Sequence, residues 1–281
     1  MQSPFTPGTI GAIAALAREP HERRGYAAPR IARDLAYGRD PRQRLDVHYT
    51  DASSKPAPVL LWLPGGGVNA SKWMPGTPWE DNVGAWTCRL QAVAVIIDHR
   101  LPPEHTWPSA ARDVACAIEW VRTNIAEYGG DPERIVLAGV SSGAAHVASF
   151  IAGHGGDNPA GVLAVAVASG IYDPSAVTEM PYKHIVGTHF GTDENELKAR
   201  SSVAGLAAWP GPLLVTVTEF DPPTFHEQAI LVLNERFRVR GALPHFAVVP
   251  GHAHGSDVLS LGVDDSALDL MLRELLAEIS A

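Results

Sequence analysis

Four short stretches of the chain carry residue types that can do chemistry together. The first is Gly139-Val140-Ser141-Ser142-Gly143, which follows the apolar run 135–138 and precedes an Ala-rich run beginning at Ala144. Strand, tight turn and helix in that order are what a nucleophile elbow requires, with the Ser141 hydroxyl exposed above the edge of a sheet. Gly139 and Gly143 permit the tight turn and the close approach of helix to strand. G-x-S-x-G is common by itself, so the reading stands only if other stretches supply a base, an acid and hydrogen-bond donors.

The second stretch is Pro64-Gly65-Gly66-Gly67, at the end of the apolar run 59–63. Glycines there let the N–H groups of Gly66 and Gly67 face a developing oxyanion without side-chain obstruction. Ser142, the residue after the nucleophile, would add its own N–H at a helix N-terminus. The third is Glu219-Phe220-Asp221-Pro222-Pro223, after the run 213–218. Asp221 or Glu219 could orient a histidine there, or both could be solvated loop carboxylates. Asp221 is preferred, because the two prolines that follow rigidify its turn. The fourth is Gly251-His252-Ala253-His254-Gly255-Ser256, after the run 245–249, where either histidine could be the base.

The chain order Ser141, Asp221, His254 is that of the α/β-hydrolase fold and not of the chymotrypsin or subtilisin folds. Other chemistries have weaker support. His252 and His254 stand two apart without cysteines or clustered carboxylates, a poor zinc pattern. No G-x-G-x-x-G follows a strand and no P-loop is present. No metal and no cofactor are expected, and the remaining histidines, His146 included, read as packing or surface residues.

These stretches need a scaffold. Residues 45–49 alternate apolar and polar as a half-buried strand does, and 59–63, 92–97, 162–167, 213–218 and 245–249 read as buried strands. Between them, Ser109 is placed to cap a helix whose residues Val114, Ile118, Val121 and Ile125 share a face, ended by Gly129-Gly130-Asp131-Pro132. A last helix carries Leu268, Met271, Leu272, Leu275, Leu276 and Ile279 on one side. Alternating strands and helices predict one α/β domain over 1–281, a mostly parallel, doubly wound sheet. Residues 1–40 are expected as a helical segment over the pocket. Residues 171–210 are expected to form a small helical cap, being too long for an ordinary loop.

Composition agrees with an ordinary folded globular protein. The 281 residues are 46% hydrophobic and 19% charged, enough for a substantial core. A net charge of −9 without a long basic run argues against nucleic-acid binding. The two cysteines, Cys88 and Cys116, imply neither a disulfide framework nor a zinc site, and both are expected as buried or half-buried thiols. The N-terminus lacks the charged region of a signal peptide, and no apolar run approaches membrane-spanning length. A soluble, cytoplasmic protein without a membrane partner is the expectation.

The residues also carry a resemblance. The run Asp98-His99-Arg100-Leu101-Pro102-Pro103-Glu104-His105-Thr106-Trp107-Pro108 is similar to the D-Y-R-L-A-P-E-H-x-x-P of α/β-hydrolase carboxylesterases of the hormone-sensitive-lipase-like group. Asp113, the segment at Glu119, the run 129–135, the elbow and Tyr37-Gly38…Leu45-Asp46-Val47 extend the likeness from about residue 37 to the C-terminus. Kynurenine-formamidase-like and feruloyl-esterase-like hydrolases are relatives of that group. Two departures stand out: Pro64 occupies the place of the histidine in the family's His-Gly-Gly-Gly, and the elbow reads G-V-S-S-G. By position His254 matches the family's base. The resemblance implies ester hydrolysis by a Ser141–His254–Asp221 triad on small-molecule substrates. An arylformamidase or other amide hydrolase is the alternative, a non-catalytic ligand-binding homologue the more remote one. At the level of the family it also implies a homodimer. Val68, Trp73 and Trp79, beyond the glycine loop, are expected to line a pocket for short or compact acyl groups.

Overall fold

Apolar runs bounded by glycine and proline become strands, and one-sided apolar stripes become the helices that cover them. The computed structural model describes residues 7–51, 55–67, 78–156, 159–263 and 267–280. Helix α1 (Pro7–Arg24) leads into β1 (Arg30–Ala36), β2 (Arg44–Tyr49) and β3 (Ala57–Leu63). Then come α2 (Asp81–Arg89), β4 (Val93–Ile97), α3 (Ser109–Asn124), β5 (Gly130–Val140), α4 (Ser142–Ile151) and β6 (Val162–Ala168). Three short helices follow, α5 (Tyr182–Phe190), α6 (Glu194–Ala199) and α7 (Val203–Ala208). The chain closes with β7 (Leu213–Thr218), α8 (Pro223–Arg240), β8 (His245–Val249), α9 (Ser256–Ser260) and α10 (Ala267–Glu278).

The strands form one sheet in the order β1-β2-β4-β3-β5-β6-β7-β8. Only β2 runs antiparallel to its neighbours; β4 through β8 are parallel. Alternation along each strand divides the core. Val59, Leu61 and Leu63 face a layer holding Val114 and Ile118 of α3, Val147 and Phe150 of α4, Leu206 of α7 and Val232 of α8. Leu60 and Trp62 face the opposite layer, with Trp86 of α2, Val258 of α9 and Leu272 and Leu275 of α10. Both faces of the parallel strands are therefore buried, and truncating one of these leucines to alanine costs about 2–5 kcal/mol. Among the described residues no helix is long and apolar enough to cross a membrane.

Some expectations need correction. Residues 1–40 are not one helical segment: after α1 the chain forms β1, an edge strand. Most of β1 is exposed or half-buried, so the apolar alternation that announces a strand is missing. Its register breaks between Ala32 and Leu35, where Asp34 takes a positive φ of 57°. Arg33 anchors it instead, bonded to Asp46 and Asp81 at 3.0 and 2.7 Å. The described contact of α1 is to α9, through His21 and the Leu259 carbonyl. Ser109 is the first residue of α3 and not its cap, because Pro108 holds the cap position and the Ser109 hydroxyl donates to the His105 carbonyl. That helix ends at Asn124, and a 3₁₀ turn and a left-handed Gly129 carry the chain into β5, which already begins at Gly130. Cys88 is buried, but Cys116 lies exposed on α3.

Candidate active site

Backbone sterics decide where the serine goes. A side chain at Gly139 would meet the backbone of Gly143 at 2.7 Å; one at Gly143 would meet the Leu63 and Pro64 carbonyls at 2.3 and 2.5 Å. Only glycine lets α4 begin this close to β3 and β5. Between them Ser141 adopts φ 55° and ψ −120°, a conformation residues with a Cβ rarely take. Its N–H donates to the Ala168 carbonyl at 2.8 Å, which fastens the turn to β6.

At the carboxyl end of the sheet the structure brings together Ser141, His254 and Asp221. Ser141 Oγ lies 2.9 Å from His254 Nε2, and His254 Nδ1 lies 2.6 Å from Asp221 Oδ1. Asp221 Oδ2 accepts from the Ser169 hydroxyl at 2.6 Å and from the Thr218 N–H at 2.7 Å. Burial alone would raise this carboxyl; the bond and charge of His254, with the Ser169 and Thr218 donors, outweigh it and hold the carboxyl below its ordinary range. The Phe225 ring covers the imidazole at 4.3 Å between centroids. The competing residues point elsewhere. Glu219 accepts from the Gly251 N–H at 2.8 Å, and His252 Nδ1 pairs with the Ser256 hydroxyl at 3.0 Å. An ionised carboxylate, a histidine and a serine hydroxyl in one hydrogen-bonded line can transfer a proton away from the hydroxyl as it attacks a carbonyl.

The glycine loop comes up beside the elbow so closely that a side chain at Gly65 would meet Ser141 Cβ at 3.0 Å. Gly66 and Gly67 have φ of 133° and 58°, backbone that glycine adopts without strain. The Gly67 N–H donates to the Ser142 hydroxyl at 3.1 Å, and the Gly67 carbonyl accepts from His189 Nε2 at 3.2 Å. Val68 and Trp73 lie outside the described residues. Trp79 is half-buried just ahead of α2. Within 171–210, α5 sits over the elbow helix, with Tyr182, Val186 and Phe190 packed with Ala145 and Phe225, whereas Leu206 of α7 belongs to the main core.

Three residues around the site escaped the sequence reading. Ser169, itself at φ 47°, supports Asp221 from the end of β6. His189, on α5, reaches the glycine loop. Asp257, three residues after His254, is wholly buried with no side-chain partner for its carboxylate among the described residues, and burial and the charge of Asp221 push it up to about 7. Its place in His254-Gly255-Ser256-Asp257 was the only signal available. The Asp98–Pro108 run does not contribute to the triad but holds the scaffold: Asp113 accepts from the Arg100 N–H and guanidinium and from Gln43, each at 2.8 Å, and Arg42 grips Asp98 at 2.9 Å.

Residues 45–221 match the BD-FAE family model, which spans the elbow, the glycine loop and Asp221. The chain belongs to the BD-FAE family. Two relatives, both from Mycobacterium tuberculosis, are esterase LipC, 41% identical over 40% of this chain and 27% of that protein, and esterase LipQ, 32% identical over 85% of this chain and 59% of that protein. The chain thus spans less than two thirds of the length of these family relatives. Among solved structures, a truncated carbohydrate esterase from gut microbiota superposes with a TM-score of 0.73 at 20% identity, covering 91% of this chain and 98% of that one. The fold is the α/β-hydrolase fold that the resemblance implied.

Proposed function

We propose that this chain is a carboxylesterase that hydrolyses small-molecule esters through an acyl-enzyme. The observation that carries the reading is the continuous line Ser141 Oγ, His254 Nε2, His254 Nδ1, Asp221 Oδ1, with spacings of 2.9 and 2.6 Å across the ring. Ser141 attacks the ester carbonyl while His254 takes its proton. Asp221 keeps the imidazole in the tautomer that accepts at Nε2 and stabilises the imidazolium. The N–H groups of Gly66, Gly67 and Ser142 receive the oxyanion, each donor contributing on the order of 3 kcal/mol. In the resting chain the Gly67 N–H is held by the Ser142 hydroxyl, and it exchanges that partner for the oxyanion as the tetrahedral intermediate forms. His254 then protonates the leaving alcohol, and water, activated by the same histidine, releases the acid. The esterase names of LipC and LipQ support the reaction class.

The test is hydrolysis of p-nitrophenyl esters from C2 to C16 by the wild type and by Ser141→Ala, alongside labelling with a fluorophosphonate. Ser141→Ala lowers kcat by about ten-thousandfold or more and abolishes labelling. Retention of wild-type hydrolysis by Ser141→Ala rules the reading out. The short α5 cap favours compact acyl groups, so rates fall toward C16; a steady rise toward C16 contradicts that part.

A further inference from the structure

The glycine loop cannot hold itself. Gly65, Gly66 and Gly67 have no side chains, and Pro64 has no N–H to donate. A loop of this kind samples many conformations unless it is pinned from outside, and oxyanion donors work only when they are already aimed. Gly67 is pinned on both sides, through the peptide that precedes it and the peptide that follows it. Its N–H goes to the Ser142 hydroxyl of the elbow, and its carbonyl receives His189 Nε2 from α5, a residue 122 positions away.

His189 is itself firmly placed. Its own carbonyl accepts from the Trp107 N–H at 2.8 Å, and Arg200 lies 4.7 Å over the Trp107 ring while donating to the Phe190 carbonyl. Its imidazole packs against His146 of α4 at 5.4 Å, and His146 packs edge-on against His99 at 4.9 Å. His99 in turn pairs through Nδ1 with the Arg100 carbonyl at 3.0 Å. Three rings thus connect the loop after β4, the elbow helix and the cap helix. The ring contacts and the bonds at its two ends make the stack a packing and hydrogen-bonding device. Burial drives the His189 imidazole down to about 4, so near neutral pH it is uncharged and donates through a fixed Nε2–H tautomer.

Resting on the esterase reading above, we propose that His189 is the positioning residue of the oxyanion loop: its Nε2–H bond to the Gly67 carbonyl fixes the peptide that follows Gly67, and through that anchor restricts the rotation of the preceding peptides that present the Gly66 and Gly67 donors. It supplies from the cap the support that no residue of Pro64–Gly67 can supply itself. Because a carbonyl bond orients the loop without touching substrate, its loss acts on the transition state and leaves ground-state binding alone.

The experiment compares wild type, His189→Phe, His189→Gln and Ser141→Ala on p-nitrophenyl butyrate, with thermal melting and inhibition by a butyl trifluoromethyl ketone. His189→Phe keeps a ring in the stack but loses the donor; we expect kcat to fall about 10- to 100-fold with KM within about twofold, and ketone affinity to fall in parallel. His189→Gln restores an N–H donor and recovers at least half of that loss on a logarithmic scale. A purely structural role would lower the melting temperature of both variants without separating their kcat values. Should His189→Phe melt too low to assay, His189→Gln against wild type decides: parallel falls in kcat and ketone affinity at unchanged KM support the proposal, while a loss in KM alone overturns it. Wild-type kcat in His189→Phe beside an inactive Ser141→Ala overturns this proposal and leaves the esterase reading standing. Full activity in Ser141→Ala overturns both.

Discussion

The two halves of the proposed site are built on opposite plans. On the triad side, both carboxylate oxygens of Asp221 and both ring nitrogens of His254 are bonded to neighbours at the same cluster of strand ends. Asp221 is held by Ser169 and by the N–H of Thr218, three residues before it, and His254 is covered by Phe225. On the oxyanion side the loop has no side chains, and its fixed points come from the elbow helix and the cap. The first half is stiff because its own turns make it so. The second is stiff only while distant elements are docked. Damage to the triad side should therefore be local and severe, whereas the oxyanion side should respond in graded fashion to changes far from Ser141.

The largest effect belongs to the triad side. Asp221→Asn places an amide where His254 needs an acceptor, and the Ser169 and Thr218 donors compete for its one remaining oxygen. A kcat lower by about ten-thousandfold at little change in KM is expected. Glu219→Gln, which touches only the Gly251 N–H of the next loop, stays near wild type. If both variants lose activity equally, the distinction between the two carboxylates is wrong.

Next comes the seam between the halves. Gly143→Ala directs a methyl group at the Leu63 and Pro64 carbonyls, 2.3 and 2.5 Å from the new Cβ. Neither carbonyl can retreat without moving β3 or the glycine loop, so the elbow and loop must separate. A destabilisation of about 1–3 kcal/mol accompanies a kcat loss of about a hundredfold, measured by denaturant melts and by turnover. Turnover unchanged at equal destabilisation would mean that the spacing of loop and elbow is not catalytic.

The same contrast explains what could be read from the chain beforehand. Ser141, Asp221 and His254, the residues of the proposed triad, stand in short stretches with their own turn chemistry, and the buried strands are continuous apolar runs, so their grouping in the fold and the strands were legible. Strand β1 was not, because an edge strand anchored by Arg33 has no need of alternation. His189 was invisible for a different reason: a lone histidine on a short helix looks the same whether it packs, faces water or reaches a carbonyl. The Asp98–Pro108 run marked the family clearly, yet its charged residues build an ion-pair support around Asp113 and not a reaction centre. Local patterns thus reveal groups that act through their own turn. Groups that act across the fold stay hidden.

A smaller change sharpens the oxyanion side. Ser142→Ala removes the hydroxyl that occupies the Gly67 N–H in the resting chain while leaving the His189 bond intact. Loss of that hydrogen bond costs about 1 kcal/mol of stability. Turnover should stay within about threefold of wild type, because the freed N–H meets the oxyanion directly. A fall of more than tenfold in kcat would show instead that the Ser142 hydroxyl is needed in turnover, as an anchor of the loop or as a donor to the oxyanion.

The smallest effect on turnover, and the most telling on stability, lies beneath the triad. Asp257 is buried with no side-chain hydrogen-bond partner among the described residues and is pushed up to about 7, against about 3.9 for an unfolded aspartate. A raised carboxyl carries no penalty below the unfolded value, since it is protonated in both states. As pH rises from about 4 to about 7 the unfolded chain ionises freely while the folded one resists, and the fold loses about 1.4 kcal/mol per pH unit before levelling off. Asp257→Asn keeps the shape and removes the charge. Its melting temperature, relative to wild type, should climb between pH 4 and 7 and then hold constant, superimposed on any fixed offset from the unpaired amide. A difference that does not change across that window would mean that Asp257 is ionised in the fold like any exposed carboxylate. The triad side would then hold two negative charges, with Asp257 stabilising the imidazolium of His254 together with Asp221.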